Sequence, residues 1–295
     1  MTLHPVTQRP DLSPFSLPQS PGLRGEKHDL ESEYPRHAGG VPPGVHRSGR
    51  YAVRFATNAD DLRAAQRLRF EVFNLELHEG LTESYQTGLD SDDYDLRCHH
   101  LLVIDDTVGE IVGTYRLMTS ELSSREQLYT ASEFDLAGIP DHVLRHGAEV
   151  GRACVAKEHR NGRVLQLLWR GIARYLDWND KRYVFGCCSV PTLDPTIIAS
   201  VSRKLVREGH LHPRYHASVR PALRNTDGDT VVAEDNATLP PLFVSYLRLG
   251  AKVCGGPASD REFCVTDYFV VLDLRDVEPR MLASLAAPGL WKTVA

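Results

Sequence analysis

The sequence lacks the long apolar segments that mark membrane and exported proteins. No stretch approaches the roughly 20 uninterrupted apolar residues that a helix needs to span a bilayer. The N-terminus has no short apolar core of the kind that a secretory leader carries. These two absences predict a cytoplasmic protein.

Excess positive charge and metal-binding cysteine spacings are also missing. The 295 residues hold 34 Lys and Arg against 39 Asp and Glu, a net charge of −5. The overall charge therefore gives no sign of nucleic-acid binding. The six cysteines show no Cys-x-x-Cys pair. We therefore expect reduced thiols packed as small apolar side chains, and no metal site.

Proline is concentrated at the N-terminus, where residues 1–50 hold 8 of the 18 prolines and few apolar runs. This composition predicts a disordered or loosely attached tail. The whole chain is 42% apolar, as in a globular protein. We predict one domain over residues 51–274 and a C-terminal tail over residues 275–295.

The most informative stretch is residues 147–178, which is predicted to form a strand, a turn and a long helix. The strand runs from Gly147 to Val155, and the helix begins near Asn161, a residue type that favours helix N-termini. Apolar residues then recur at helical spacing: Val164, Leu165, Leu168, Trp169, Ile172 and Leu176. Because the first backbone N–H groups of a helix lack partners, such a turn can bind an anion, for example a phosphate.

The segments before residues 147–178 are predicted to form a strand at 51–56, a helix, an acidic loop at 78–97 and a hairpin. The helix should start at Thr57 or Asn58 and bury one face, formed by Ala65, Leu68, Val72 and Leu75. The hairpin strands are residues 99–104 and 110–118. Arg69 and Arg116 lie in apolar surroundings, and a buried arginine needs a carboxylate partner. The acidic loop, with Asp92 and Asp95, can supply one.

The segments after residues 147–178 alternate strands and helices. We predict strands at 182–188, 251–254 and 263–274, helices at 195–207 and 241–249, and a surface excursion at 208–238. This order predicts a mixed α/β fold with an antiparallel start and a central strand–helix crossover.

The turn Arg160-Asn161-Gly162-Arg163-Val164 resembles the pantetheine-binding turn of the GNAT acyltransferase superfamily. It departs from the usual R/Q-x-x-G-x-G/A pattern, since Arg160 lies two residues before Gly162 and Val164 takes the final small position. Other motifs resemble the acyl-homoserine-lactone synthases of that fold, which take acyl groups from acyl carrier protein. These motifs are Arg69 with Phe70, Val72 and Phe73, Asp92-x-x-Asp95, Arg116, and Glu149-x-x-Arg152.

A sister family, the ornithine N-acyltransferases of ornithine-lipid synthesis, resembles the chain over a wider range, about residues 51–274. The shared motifs are Tyr94-Asp95-x-x-Cys98-x-His100, Tyr129 with Glu133-Phe134-Asp135-Leu136, Glu149-Val150-Gly151-Arg152 and Pro240-Pro241-Leu242. This resemblance implies a three-layer GNAT-like fold, with a central, mostly antiparallel mixed sheet flanked by helices. It also implies transfer of a 3-hydroxyacyl group from acyl carrier protein to the α-amine of ornithine, giving lyso-ornithine lipid. No other cofactor is implied.

The resemblance assigns three sets of site residues. Glu149, Arg152 and Arg116 are the catalytic candidates. Glu149 would hold the ammonium and take its proton, or it would be a structural partner of one of the two arginines. Since Glu149 and Arg152 are three apart on a strand, they face opposite sides unless a bulge intervenes. Arg69, Asp92 and Asp95 are substrate-binding candidates, with bracing of the loop by Asp–Arg pairs as the favoured alternative. Acyl-donor binding is assigned to Arg160, Asn161, Gly162, Arg163 and Val164.

Several alternatives remain open at this point. The acceptor could be glycine, tyrosine or another amino acid, or the chain could be a homoserine-lactone synthase. A non-catalytic protein that binds acyl carrier protein is a third class. Basic residues around the central helix, Arg160, Arg163, Arg170, Arg174, Lys181 and Arg182, are candidates for attracting the acidic carrier or form an ordinary solvated face. A peripheral membrane contact for product release also stays open.

Overall fold

The computed structural model describes residues 34–224 and 237–285. Its strands are β1 (His46–Ser48), β2 (Tyr51–Phe55), β3 (His99–Asp105), β4 (Glu110–Thr119), β5 (Phe134–Asp135), β6 (Gly147–Val155), β7 (Tyr183–Val190), β8 (Ser218–Val219), β9 (Lys252–Val253), β10 (Ala258–Asp260) and β11 (Val265–Asp273). Its α-helices are α1 (Ala59–Arg69), α2 (Ser84–Thr87), α3 (Tyr129–Glu133), α4 (Asp141–Arg145), α5 (Arg163–Trp178), α6 (Pro195–Arg207), α7 (Pro241–Leu249) and α8 (Pro279–Leu285).

Nine strands form one sheet in the order β1-β2-β3-β4-β6-β7-β11-β10, with β9 also paired to β11. Every pairing in this sheet is antiparallel except that of β6 with β7, which is parallel because α5 carries the chain across between them. The predicted mixed α/β fold with a mostly antiparallel sheet is thereby confirmed.

Helices cover both faces of the sheet. Successive side chains of β11 point to opposite faces and contact different helices. Tyr268 and Val270 pack with α6 and α7, whereas Phe269 and Val271 pack on the opposite face with the segment around α3 and α4. On the first face α5 buries its apolar stripe against β2, β3 and β4. Successive strand residues point to opposite faces, so one strand serves two cores. None of the helices in the described ranges is long and apolar enough to cross a membrane.

The domain extends beyond both boundaries that the sequence predicted. Strand β1 lies before residue 51 and pairs with β2, and Tyr34 is buried against α1. Helix α8 lies after residue 274, and its Met281 and Leu282 pack on the core. The tail predictions are therefore corrected for 34–50 and 275–285, because these segments bury apolar side chains. Residues 1–33 and 286–295 lie outside the described ranges.

Local predictions for the first helix and the excursion need two further corrections. A π-helix at Phe70–Glu76 follows α1 directly, and Leu75, expected to face inward, is 51% exposed. The wider turn of a π-helix shifts the side-chain register, so the 3.6-residue period fails there. The predicted surface excursion contains β8, which pairs with β5, and its residues 225–236 lie outside the described part of the chain.

Candidate active site

A cleft opens where β6 and β7 separate. The two strands pair only over residues 147–149 and 183–185, and then they diverge. Gly186 lies at the point of divergence, where an added Cβ would come within 2.3 Å of the Val150 carbonyl oxygen. Only glycine allows this approach. The remainder of β6, from Val150 onward, has no pairing with β7 and borders the cleft.

The cleft is part of a cavity of about 760 Å³ with a polar end and an apolar end. Its polar lining comes from β4, β6, β7 and β11 and from α3: Arg116, Tyr129, Glu149, Arg152, Ser189 and Asp267. Its apolar lining comes from the helices on one face and the strands beneath them: Trp169, Ile172, Leu176, Tyr246, Leu249, Leu272, Leu282 and Leu285. A charged reaction centre can therefore open into a long apolar space.

Asp95 joins the acidic loop to both predicted arginines. Its Oδ1 accepts hydrogen bonds from Nη1 of Arg69 at 2.8 Å and from Nη1 of Arg116 at 3.0 Å. The Asp95 and Arg69 side chains are 1% and 0% exposed. Burial opposes ionisation of Asp95, but the two guanidinium groups outweigh it and hold its pKa well below the usual range. The predicted pairing of Asp95 with an arginine is confirmed.

Asp92 and Asp90 complete the network. Both Asp92 carboxylate oxygens accept from Arg116 Nη1 at 2.6 Å, and Asp90 lies 3.3 Å from Arg69. Arg152 lies 3.3 Å from Asp92 and 3.8 Å from Asp90. Three arginines thus face three aspartates. Arg69 and Asp95 do not line the cavity, and their ion pairs brace the acidic loop against the first helix. Contact of Arg69, Asp92 or Asp95 with a substrate stays a prediction.

A β-bulge brings Arg152 to the same cavity as Glu149. Strand β6 has one extra residue between its pairings of Cys154 with Thr114 and Gly151 with Arg116. Arg152 takes a left-handed conformation there, with φ of 50°. Bulges of this kind redirect side chains. The guanidinium of Arg152 lies over the Phe263 ring, 4.6 Å from its centroid.

Glu149 contacts the start of α3 rather than an arginine. Its Oε1 accepts hydrogen bonds from the backbone N–H and hydroxyl of Thr130, at 2.7 and 2.6 Å, and Oε2 accepts from the Tyr129 N–H at 2.9 Å. Helix α3 has no capping side chain of its own, so Glu149 supplies this function from another element. Burial raises the pKa of Glu149 above its usual value despite these hydrogen bonds.

The predicted donor-binding turn lies outside the lining of the cavity. Gly162, not Asn161, is the N-cap of α5, with φ of 85°, while Asn161 Oδ1 accepts from the Arg163 N–H. Arg160 pairs with Glu76 at 2.6 Å. Val164 is fully buried and faces the core, so its size does not obstruct the turn. Arg163 remains exposed.

Three of the six basic residues predicted to attract a carrier pair with acidic side chains elsewhere: Arg160, as described above, Lys181 and Arg182. Lys181 is buried and contacts Glu121 at 2.7 Å, and Arg182 pairs with Asp273. Arg170 and Arg174 lie half-buried along α5, where Arg174 also contacts the exposed Asp177 at 3.4 Å. The basic surface next to the turn therefore consists of Arg163, Arg170 and Arg174.

Sequence reasoning missed a second group of acidic residues at the polar end. Glu133, Asp260 and Asp267 each present a carboxylate oxygen within 4.8 Å of the others. Glu133 appeared only within a family motif, and Asp267 carried no signal of its own in an apolar strand. An acidic residue inside an otherwise apolar strand is the one feature that could have been noticed.

Residues 68–170 match the family model described as an acetyltransferase (GNAT) domain. Among solved structures, the chain is similar to a CoA-dependent acyl-homoserine lactone synthase with MTA, with a TM-score of 0.45 and 17% identity over 77% of this chain and 80% of that one.

Curated relatives cover most of the chain. It is 34% identical over 251 residues to the L-ornithine N(alpha)-acyltransferase of Agrobacterium fabrum, spanning 80% of this chain and 85% of that protein. It is 33% identical over 269 residues to the enzyme of the same name from Rhizobium meliloti, spanning 86% and 91%. The chain therefore belongs to the family of L-ornithine N(alpha)-acyltransferases.

Proposed function

We propose that the protein transfers a 3-hydroxyacyl group from acyl carrier protein to the α-amine of L-ornithine, giving lyso-ornithine lipid. Family membership supports the acceptor and the type of reaction. The observation that carries the proposal is the cavity at the β6–β7 cleft, which joins a charged end to an apolar end.

The chemistry requires a neutral amine, a path for its proton and donors for the developing oxyanion. The amine nitrogen forms a bond to the thioester carbonyl carbon, the carbon–sulfur bond breaks, and the thiol leaves on the carrier's pantetheine. Glu149 takes the proton of the ammonium, directly or through water. Its raised pKa suits this role, because a base works best when its pKa lies near the operating pH.

The arginines fix the geometry of the polar end. Arg116, held by Asp92 and Asp95, lies over the rings of Tyr94 and Tyr129 at 5.4 and 5.8 Å. Arg152 makes only longer contacts with its aspartates, 3.3 and 3.8 Å, and lines the cavity. Arg152 is therefore the candidate to bind the carboxylate of the acceptor, because a guanidinium recognises carboxylates well.

The apolar end suits a fatty acyl chain. Helices α5, α7 and α8 contribute its walls through Trp169, Tyr246 and Leu282. Each methylene that leaves water for such a surface contributes about 0.8 kcal/mol. The cavity would therefore favour long acyl donors over acetyl groups.

A carrier protein as donor is supported by the basic surface beside the α5 turn. Arg163, Arg170 and Arg174 can attract an acidic partner. The phosphate of the pantetheine would lie at the N-terminus of α5, where backbone N–H groups are available to an anion.

A single incubation tests the proposal. The protein is mixed with acyl carrier protein loaded with 3-hydroxyacyl groups and with an equimolar mixture of amino acids, and the products are identified by mass. We expect N-acylornithine as the main product. A main product built on glycine, tyrosine or homoserine lactone would assign a different acceptor, and no product from any donor would indicate a non-catalytic protein.

A further inference from the structure

Three carboxylates meet beside the polar end of the cavity. Glu133 ends α3, whereas Asp260 and Asp267 belong to the paired strands β10 and β11. Their nearest carboxylate oxygens all lie within 4.8 Å of one another. Asp267 lines the cavity itself, so the cluster borders the space that the acceptor would enter.

Unlike the Asp90–Asp92–Asp95 group, this cluster forms no direct ion pair with an arginine or lysine of the described residues, although the charge of Arg152 acts on Asp267. Within residues 34–224 and 237–285, no ion pair with either residue type reaches Glu133, Asp260 or Asp267. Asp267 accepts a hydrogen bond from the Ser189 hydroxyl at 2.6 Å, and Asp260 Oδ1 accepts from two backbone N–H groups in its own turn.

Glu133 is the member of the cluster that most needs a ligand. It is 3% exposed, and its Oε1 has no hydrogen-bond partner among the described residues. Its other oxygen, Oε2, accepts from the Cys187 thiol at 3.6 Å, and the Glu133 carboxyl group also interacts with the side chains of Tyr129 and Asp267. A buried acceptor without a donor is costly, so an incoming N–H group would be bound favourably.

We propose that Glu133, Asp267 and Asp260 form the specificity site for the side-chain ammonium of the acceptor amino acid. The inference rests on the proposed function, and it names the residues that select a cationic acceptor. An ammonium has three donors and no acceptor. Three oxygens that lie no more than 4.8 Å from one another can all come within about 2.8 Å, one hydrogen-bond length, of a single nitrogen.

The charge of the cluster suits a monovalent cation. Burial and the charge of Asp267 raise the pKa of Glu133, and burial raises the pKa of Asp267. Two buried carboxylates so close together resist being ionised at the same time. An ammonium placed between them would stabilise the ionised form, whereas a divalent metal would require both carboxylates to be ionised.

The test compares ornithine with norvaline, which has the same carbon skeleton without the side-chain amine. Wild type, Glu133→Gln and Asp267→Asn are assayed for kcat/KM with both acceptors at a fixed donor concentration. We expect wild type to prefer ornithine and each variant to lose that preference by roughly tenfold to a hundredfold, the size of a lost hydrogen bond to a charged group. The change should lie mainly in KM for ornithine. Asp260→Asn, at the half-buried edge of the cluster, provides a milder variant should the other two fail to fold.

The matched control is Glu262→Gln, which removes a carboxylate next to the cluster on an exposed part of the same hairpin. Its preference for ornithine should stay within about twofold of wild type, because diffuse surface charge contributes little. If Glu262→Gln and Glu133→Gln lost the preference for ornithine to the same extent, the specific site would be overturned, and a general negative potential would explain the preference.

Two other results would also overturn the inference. If wild type had equal kcat/KM for norvaline and ornithine, the proposed acyltransferase activity would stand, but the protein would have no site for the side-chain ammonium. A metal ion would be assigned to the cluster if EDTA abolished wild-type activity, Mg²⁺ restored it, and the activity of Glu133→Gln did not respond to either addition. If wild type acylates neither amino acid, the proposed function itself fails, and the inference fails with it.

Discussion

At Asp95, one carboxylate contacts two guanidinium groups in a place that water does not reach. Desolvation of three charges is costly, and it is offset only because each charge has close partners of the opposite sign. Asp95 also accepts a hydrogen bond from the side-chain amide of Gln66 at 2.9 Å. The residue therefore fixes the acidic loop against both α1 and β4.

Asp95→Ala should destabilise the protein by about 3–5 kcal/mol, because it leaves Arg69 buried with fewer partners. Urea unfolding measures this loss. The control is Asp60→Ala, which breaks an exposed pair with Arg63 and should cost about 1 kcal/mol or less. If Asp95→Asn instead keeps wild-type stability and raises only KM for ornithine, Asp95 binds the acceptor and the bracing role is wrong.

Glu149 has a capping role in the structure, and the proposed function gives the same carboxylate a catalytic one. It caps α3 through Tyr129 and Thr130, and it lines the cavity where the amine would attack. Capping holds the carboxylate in one orientation, which is what a base needs to meet a substrate in a fixed geometry. The structural role thus supports the catalytic one.

Glu149→Gln should lower kcat by roughly 10²–10⁴-fold, the usual contribution of a general base, while the protein stays folded. Rapid-mixing or steady-state assays with saturating ornithine measure this fall. Thr130→Val is the matched control, since it removes one hydrogen bond to Glu149 and keeps the carboxylate. We expect this control to lose about 1 kcal/mol of stability and less than about tenfold in rate. Near-normal turnover by folded Glu149→Gln would leave Glu149 with its capping role alone.

Among the elements, two irregular segments shape the site: the π-helix after α1 and the bulge in β6. The π-helix follows Arg69 and contains Phe73. The guanidinium carbon of Arg152 lies 5.9 Å from the centroid of the Phe73 ring. The bulge turns Arg152 towards that same ring. Both irregularities cost regular hydrogen bonding, and both occur beside the polar end of the cavity.

Helix α8 closes the apolar end of the cavity, although its sequence lies in the segment predicted to be a tail. We expect the double variant Leu282→Ala/Leu285→Ala to reduce kcat/KM for long-chain donors roughly tenfold relative to short-chain donors, because buried methylene contacts are lost. Assays with a series of acyl-carrier-protein chain lengths measure the ratio. Met281→Ala serves as the control, since Met281 packs on the core but does not line the cavity. An unchanged chain-length preference in the double variant would place the acyl chain elsewhere.

On the scale of the whole molecule, the net charge of −5 does not by itself favour an acidic partner. An acidic partner would have to be attracted by local positive charge. The described surface offers Arg163, Arg170 and Arg174 along α5, next to the proposed phosphate site. Such an arrangement attracts one region of a partner while the rest of the surface stays neutral or repulsive.

We therefore expect kcat/KM for acyl carrier protein to exceed that for acyl-CoA by roughly tenfold or more at low salt. The difference should shrink as salt screens the surface charges. Steady-state assays at two ionic strengths measure both effects, and Arg170→Glu should reduce use of the carrier more than use of acyl-CoA. Equal kcat/KM for both donors would contradict a carrier-dependent enzyme.

Much of the fold could be predicted from the sequence because its signals are local. The alternation of residues 51–56, which include β2, and the apolar stripe of α5 depend on residues close together in the chain. The pairing of Asp95 with arginine was also predictable, since charged residues in apolar surroundings require partners. The same local signals failed at Leu75, where a π-helix changes the period.

The sequence by itself determined most of the segments that form the sheet and the helices, with β1, β8 and α8 among the exceptions, and its motifs determined the family. Only the tertiary structure decided which carboxylates are neutralised. Glu149 finds its partners at α3, and Glu133 meets Asp267 across two distant elements without a direct ion pair to an arginine of the described residues. These outcomes depend on burial and on contacts between residues far apart in the chain. The free energy of a charge is set by those surroundings and not by its neighbours in sequence.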